Sequence, residues 1–488
     1  MASGKEKIIN FLNEQIAQAQ FRAQAYVFNE ENKRRPQRNV FVRIKGYLDA
    51  FLKGDVSARW ITLTGLRGAG KTTVLSQVFY EAKEKEVYRL FLSLDQTSQI
   101  LGVSLDEIIS TFEDLIGKSL ESLDKPLLLF LDEAQYDPKW GIVLKSIFDR
   151  SNKVFIFVTG SSALLMNRNT DIARRSIYEK LFPLSFTEYL KIKNQKFEIK
   201  GLSGNIREAL FSSETAKQAY DTLVELEKKA NEYYLGVTRH EFDKYLNYGS
   251  LPFMVVSNNE AIVYDQINKT LDRVISGDIL STGRFTSEII SKISGILYSV
   301  ADMDAFNFLT IAKNFEISRP KVAEIFEALE HTEILQRIYP HGSHLNQVAV
   351  IRKPSKYLFA SPAFRAMYYK MLGNTISAEN ARGKLIEDLV GMYLNRILYK
   401  NTGKSLTYDS AKGGADFILG IGNRKMIIEV CAGKKDYRQI IQTAKKVNPI
   451  YSLIISDDSL SYSKEFDAIK VPLRLFLLAG IKPTPSSC

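Results

Sequence analysis

The stretch GLRGAGKT at residues 65–72 matches G-x-x-x-x-G-K-[ST] in full. It follows the apolar run WITLTG and opens the helical pattern TTVLSQVFYEAK. A strand that turns through such a loop into a helix leaves the chain few folds to choose from. Small residues let successive backbone N–H groups curl around phosphate oxygens, and the helix N-terminus adds its positive dipole end. Lys71 is expected to reach the terminal phosphates of ATP, and the Thr72 hydroxyl to ligate Mg²⁺. The predicted nucleotide contacts are Gly65, Arg67, Gly68, Ala69, Gly70, Lys71, Thr72 and Thr73.

From residue 60 to 161 short apolar strands alternate with amphipathic helices: VYRLFLSL, SLDEIISTFEDLIGKSL, PLLLFLDE, KWGIVLKSIFDRS and KVFIFVTGS. Strands that are apolar on both faces and separated by helices predict a parallel sheet covered on both sides. The strand LLLFLDE ends in Asp132 and Glu133. Asp132, beside the phosphate loop, is placed to hold the Mg²⁺ shell, and Glu133 to polarise the attacking water. The next strand ends in Thr159, Ser161 and Ser162. Of these, Thr159 and Ser161 are favoured to bond the γ-phosphate or the lytic water. Arg174 and Arg175 follow, and either can bring charge to the transition state in cis or from a neighbouring copy, which allows for a homo-oligomer.

The chain is 488 residues long, too long for one core. The expected division is an N-terminal helix and basic linker over 1–38, a P-loop core over 39–197, a helical lid over 198–285, a winged helix over 286–375 and a smaller α/β domain over 376–488. Two cysteines, Cys431 and Cys488, with four histidines exclude a disulfide framework and a four-cysteine zinc site. No apolar stretch has the length of a membrane span, and a cytoplasmic protein is expected. Residues 1–60 carry 11 basic and 6 acidic side chains and residues 376–488 carry 17 and 11, which accounts for the whole net charge of +11. Basic ends of this kind are suited to DNA phosphates.

The order GLRGAGKTT, LFLDEAQ, VTGSSALL, RR, FPLSFTEYL and YGSLPFMVV resembles that of a group of prokaryotic AAA+-like P-loop ATPases. The resemblance implies an α/β nucleotide domain, a helical lid, a winged helix and a restriction-endonuclease-like C-terminal domain, with ATP and Mg²⁺ as cofactors. It also matches Arg175 to the family's arginine. Ala173 and Arg174 stand where that family's preceding glycine belongs, which leaves the choice between the two arginines open.

The expected recognition helix of the winged helix carries Glu324, Glu327, Glu330 and Glu333, with Arg319 and Lys321 only at its start. Carboxylates on a solvent face repel phosphate, so major-groove reading is not expected. Arg352, Lys353 and Lys356 on the loop side are better placed for a nucleic-acid backbone.

In GGADFILGIGNRKMIIEV, a two-residue turn at Gly422-Asn423 sets Ile421 against Arg424 and therefore Asp416 against Glu429. Two carboxylates so opposed suit Mg²⁺ or Mn²⁺, with Glu387 as a third ligand. The resembling nucleases use a helix Glu, a strand Asp and a Glu-x-Lys. Here Cys431 stands in the place of that lysine, and Lys434, Lys435, Lys445 and Lys446 are the candidate replacements. The nucleotide state is accordingly expected to control a nuclease-like, nucleic-acid-associated C-terminal domain that is inactive and kept for binding; the alternatives are an ATP-gated, metal-dependent DNA nuclease and a nucleotide-switched protein-assembly module without nucleic acid.

Overall fold

The computed structural model describes residues 4–83, 86–160, 174–255, 257, 259–280, 283–302, 307–342, 354–373, 377–400, 403–431 and 437–480. It divides into two compact units, Met1–Phe182 and Pro183–Cys488.

The first unit is a five-stranded parallel sheet in the order β2-β3-β4-β1-β5. The strands are β1 (Trp60–Gly65), β2 (Tyr88–Ser93), β3 (Leu127–Asp132), β4 (Val154–Gly160) and β5 (Ile177–Leu181). β1, β3 and β4 are buried along their whole length, as their largely apolar runs lead one to expect. The helices are α1 (Gly4–Val27), α2 (Asn39–Leu52), α3 (Lys71–Glu81), α4 (Leu105–Ile116) and α5 (Trp140–Arg150). α1 is no separate appendage. Its Ile8 and Leu12 share a buried cluster with Leu90, Leu92, Leu129 and Leu131 of the sheet. Nor is 32–38 simply a solvated basic linker, because Arg38 at its end is buried.

The second unit begins where a continuing P-loop core was expected. It opens with α6 (Phe186–Asn194), α7 (Leu202–Ser212), α8 (Ala216–Tyr233), α9 (Arg239–Lys244) and α10 (Glu260–Arg273). The segment expected to be a lid shares its core with the C-terminal strands. Leu202, Ile206, Leu210 and Leu223 cluster with Leu389, Tyr393, Ile428 and Leu453. FPLSFTEYL and GSLP are thereby explained as packing motifs. Ser185 and Glu188 form a capping box at the start of α6. Glu188 also pairs with Arg396 at 3.3 Å, the Phe186 N–H donates to the Tyr393 hydroxyl at 2.7 Å, and the Tyr245 hydroxyl donates to the Leu184 carbonyl at 2.9 Å. A β-carbon on Gly249 would lie 2.6 Å from the Tyr189 ring, so only glycine fits.

Three helices follow, α11 (Ser287–Asp302), α12 (Phe308–Asn314) and α13 (Arg319–His331), then the antiparallel pair β6 (Leu335–Pro340) and β7 (Lys356–Phe359). The Ser318 side chain caps α13, and Pro320 sits in its first turn, as expected. Glu324 and Glu327 face solvent, but Glu330 is half-buried and Glu333 is buried beyond the helix end, so the acidic face is shorter than the spacing suggested.

After α14 (Pro362–Leu372) come α15 (Ala378–Leu398), β8 (Lys404–Tyr408), β9 (Phe417–Ile421), β10 (Arg424–Val430), α16 (Arg438–Val447) and β11 (Tyr451–Ser456). β8, β9 and β10 form an antiparallel meander, and β11 runs parallel to β10. β12 (Ser461–Ser463) and β13 (Ala468–Pro472) extend one edge. At the other edge β6 pairs with β8, so the hairpin after α13 joins one eight-stranded sheet. The register sets Ile421 against Arg424, as the turn count predicted.

Candidate nucleotide site and C-terminal carboxylate site

Gly70 adopts φ 95° at the N-cap of α3, a left-handed conformation that a side chain would strain. That turn aims Lys71 back into the loop, where its amine donates to the carbonyls of Gly65 at 2.9 Å and Leu66 at 3.1 Å. The Thr72 hydroxyl donates to Asp132 Oδ2 at 2.8 Å, and the Thr159 hydroxyl donates to Asp132 Oδ1. Thr159 in turn accepts the Glu133 N–H at 3.3 Å. Three strand ends thus bring Thr72, Asp132, Glu133 and Thr159 together. Glu133 has φ 53°, and its carboxylate accepts a bond from the Gln135 amide. Burial, with the neighbouring Glu133 charge adding to it, raises Asp132 above the ordinary carboxylate range even though both hydroxyls oppose the shift. Ser161 and Ser162 lie outside the described residues.

The two arginines are placed differently from the expectation in cis. β5 runs parallel to β1, with Ile61 beside Ile177 and Gly65 beside Leu181. Arg174 and Arg175 therefore precede β5 at the sheet edge opposite the phosphate loop, and Arg175 pairs with Asp149 of α5 at 2.8 Å. The length of β1 separates the two edges, about 16 Å at ~3.3 Å per residue.

Two residues that sequence reasoning missed border the site. Arg38 donates to the loop carbonyl of Ala69 at 3.0 Å and to that of Phe182 at 2.8 Å. It fixes the back of the phosphate loop. Tyr26, at the end of α1, lies within the field of Asp132, whose charge adds to burial in raising the phenol. Nothing in local spacing marks either residue, because both arrive through packing of the N-terminal segment.

In the second unit Asp416 and Glu429 meet as predicted, but not as two ligands of one ion. Glu429 accepts the Asp416 N–H at 3.1 Å, and Asp416 Oδ2 accepts the Val430 N–H at 3.0 Å. The other Asp416 oxygen holds the amine of Lys356 at 3.1 Å, and the same amine ion-pairs with Glu387. The expected Glu387–Asp416–Glu429 metal cage is not formed, and among the described residues no group of three such side chains is arranged to hold a metal ion. Lys356 is also not free to meet a phosphate backbone. Burial alone would lower its amine, but Asp416 and Glu387 outweigh burial and hold it well above the ordinary lysine value.

Cys431 is buried against Ala415, Ile427, Ile440 and Ile454, a small apolar cluster beneath α16. Lys446 is occupied by Asp409 at 2.7 Å, and Lys445 is exposed. Lys434 and Lys435, with Arg352 and Lys353, lie outside the described residues. Among the described residues, no helix is long and apolar enough to cross a membrane.

Residues 57–190 match the family described as AAA domain. An uncharacterized protein of Methanocaldococcus jannaschii, MJ1637, is 32% identical over 92% of this chain and 90% of its own length. A second uncharacterized protein of that organism, MJ1544, is 24% identical over 75% of this chain and 73% of its own. Among solved structures, the Walker-type ATPase Paby2304 of Pyrococcus abyssi overlaps 67% of this chain and 94% of its own at 15% identity and a TM-score of 0.38. AMPPCP-bound DnaA of Aquifex aeolicus overlaps 63% and 92% at 17% identity and a TM-score of 0.27. The chain therefore belongs to the family of MJ1637 and carries, over residues 57–190, a P-loop nucleotide-binding domain of the AAA class.

Proposed function

We propose that the chain is a Mg²⁺-dependent ATPase whose nucleotide state controls a nucleic-acid-associated, nuclease-like C-terminal domain that does not itself cleave. The observation that carries the ATPase reading is Asp132 held between the hydroxyls of Thr72 and Thr159, with Lys71 folded over the phosphate loop. Asp132 and Thr72 are hard oxygen donors, and the raised carboxylate gains from a cation, so the pair fits Mg²⁺. When bound, Mg²⁺ offsets the charge of the terminal phosphates. Lys71 exchanges two backbone carbonyls for phosphate oxygens. Glu133, oriented by Gln135, polarises the attacking water, and Thr159 positions Asp132 and the Glu133 backbone. In this reading Arg174 or Arg175 acts on the nucleotide of a neighbouring copy.

The helix order α11–α13 followed by β6 and β7 supports a winged-helix reading. The series helix, three antiparallel strands, helix and parallel strand over 378–456 supports a restriction-endonuclease-like one. The basic excess of residues 376–488 favours nucleic acid as the partner. Lys356 between Glu387 and Asp416 favours the non-cleaving form over an ATP-gated nuclease.

The test is ATP turnover by wild type, Lys71→Ala and Glu133→Gln. Both variants are expected to lose turnover by about a hundredfold or more, and Glu133→Gln to keep nucleotide binding. Unchanged turnover in either defeats the assignment. Plasmid and single-stranded DNA should stay intact with ATP and Mg²⁺ or Mn²⁺. Cleavage that disappears in Asp416→Ala returns the domain to the nucleases.

A further inference from the structure

Cys431 removes the lysine that the Glu-x-Lys pattern places beside Glu429, and the structure brings a cation to the neighbouring carboxylates from elsewhere. Lys356 is the first residue of β7, 60 positions before Asp416 in the chain. Its amine touches Glu387 of α15 and lies 3.1 Å from Asp416 Oδ1. Its aliphatic stem is enclosed, with the side chain 13% exposed, and the amine lies 5.3 Å from the centre of the Phe417 ring. The remaining donors are turned to other work. Asp416 Oδ2 takes the Val430 N–H, and Glu429 takes the Asp416 N–H.

We propose that Lys356 is the resident cation of the Glu387–Asp416 pair, standing where a divalent metal would stand, so that this domain is metal-free in its native form. The physical reason is competition for the same oxygens. An ammonium that bridges two half-buried carboxylates satisfies their charge, and a dication can enter only by driving a like charge out of an enclosed position. The residues present therefore do not fit the metal that the fold implies. Removing the amine should reverse the preference, because two facing carboxylates without a counter-ion form an oxygen site for Mn²⁺ or Mg²⁺. The proposal borrows the nuclease-like reading only to say where a metal would sit. Metal binding is measured rather than cleavage, so its failure and the failure of that reading are separable.

The experiment uses the full chain with Asp132→Asn throughout, which removes the metal-side carboxylate of the nucleotide domain. Mn²⁺ is counted by electron paramagnetic resonance, and melting is followed with and without it. With Lys356 intact, no Mn²⁺ should be retained, and about 5 mM Mn²⁺ should move the melting temperature by less than about 1 °C. Lys356→Met should melt lower, bind one Mn²⁺ and recover by about 5 °C or more in the metal. Adding Asp416→Asn should abolish both effects. Lys356→Arg, which keeps a cation, should behave as the parent. If Lys356→Met folds only with Mn²⁺, that rescue supports the proposal. Tight Mn²⁺ binding that needs Asp416 while Lys356 is intact overturns it. So does a Lys356→Met chain that neither binds Mn²⁺ nor is restored by it.

Discussion

Replacing Asp388 with leucine should destabilise the second unit by about 3–5 kcal/mol, and replacing Arg365 with methionine as well should restore part of it. The side chains are 0% and 3% exposed, and the pair is bidentate, with Arg365 Nε 2.6 Å and Nη2 3.0 Å from the two Asp388 oxygens. Arg365 Nη1 also donates to the Ala301 carbonyl at 2.7 Å, and Asp388 accepts the Phe359 N–H at 3.0 Å. Leucine at 388 would leave a buried guanidinium without its anion and a backbone N–H without its acceptor. The surviving carbonyl bonds hold the expected cost toward the lower end, roughly 3 kcal/mol. In the double variant an apolar contact replaces the pair but the Phe359 N–H still lacks its acceptor, so the chain should return to within about 2 kcal/mol of wild type, a coupling of at least ~1 kcal/mol.

The assay exploits an asymmetry of composition. Both tryptophans, Trp60 and Trp140, lie in the first unit. Tryptophan emission in a urea titration therefore follows the nucleotide domain, while far-ultraviolet circular dichroism follows both units. The Asp388→Leu transition should move to lower urea in dichroism and stay in place in emission. A single variant that costs less than 1 kcal/mol, or a double variant as unstable as the single, would refute the view that this pair clamps α15 against α14.

Two further predictions use other particulars of the second unit. Burial, with Glu327 adding to it and Arg337 opposing it, pushes the Glu330 carboxyl up to about 7. Its folded value thus exceeds its unfolded one, so its contribution is complete below the ordinary glutamate value and is lost as pH rises through about 7. Glu330→Gln should flatten that part of the stability–pH curve, a difference of roughly 2 kcal/mol by pH 8, measured by urea titration at stepped pH. Gly249→Ala drives a methyl to within 2.6 Å of the Tyr189 ring and should cost roughly 1–3 kcal/mol of the second unit, read as a lower dichroism midpoint without a change in tryptophan emission.

Local pattern determined a good deal of this protein. The phosphate loop needs only its own residues and the strand and helix that flank it, so Gly70, Lys71 and Thr72 were legible at once. Apolar runs with helices between them gave the parallel sheet, and the period-two alternation around Gly422-Asn423 gave the register that sets Asp416 by Glu429. Each of these follows from contacts between near neighbours, or from a period that repeats along one element. The tertiary structure decided the rest. It carried Arg38 and Tyr26 to the nucleotide site, set Arg175 on Asp149, and turned FPLSFTEYL into a packing motif against Tyr393 and Arg396. It also filled the carboxylate pair with Lys356, a residue whose sequence position suggested a wing contact. An ion pair between side chains 60 residues apart depends on how a hairpin joins a sheet edge and how a helix crosses it, and no spacing along the chain records either.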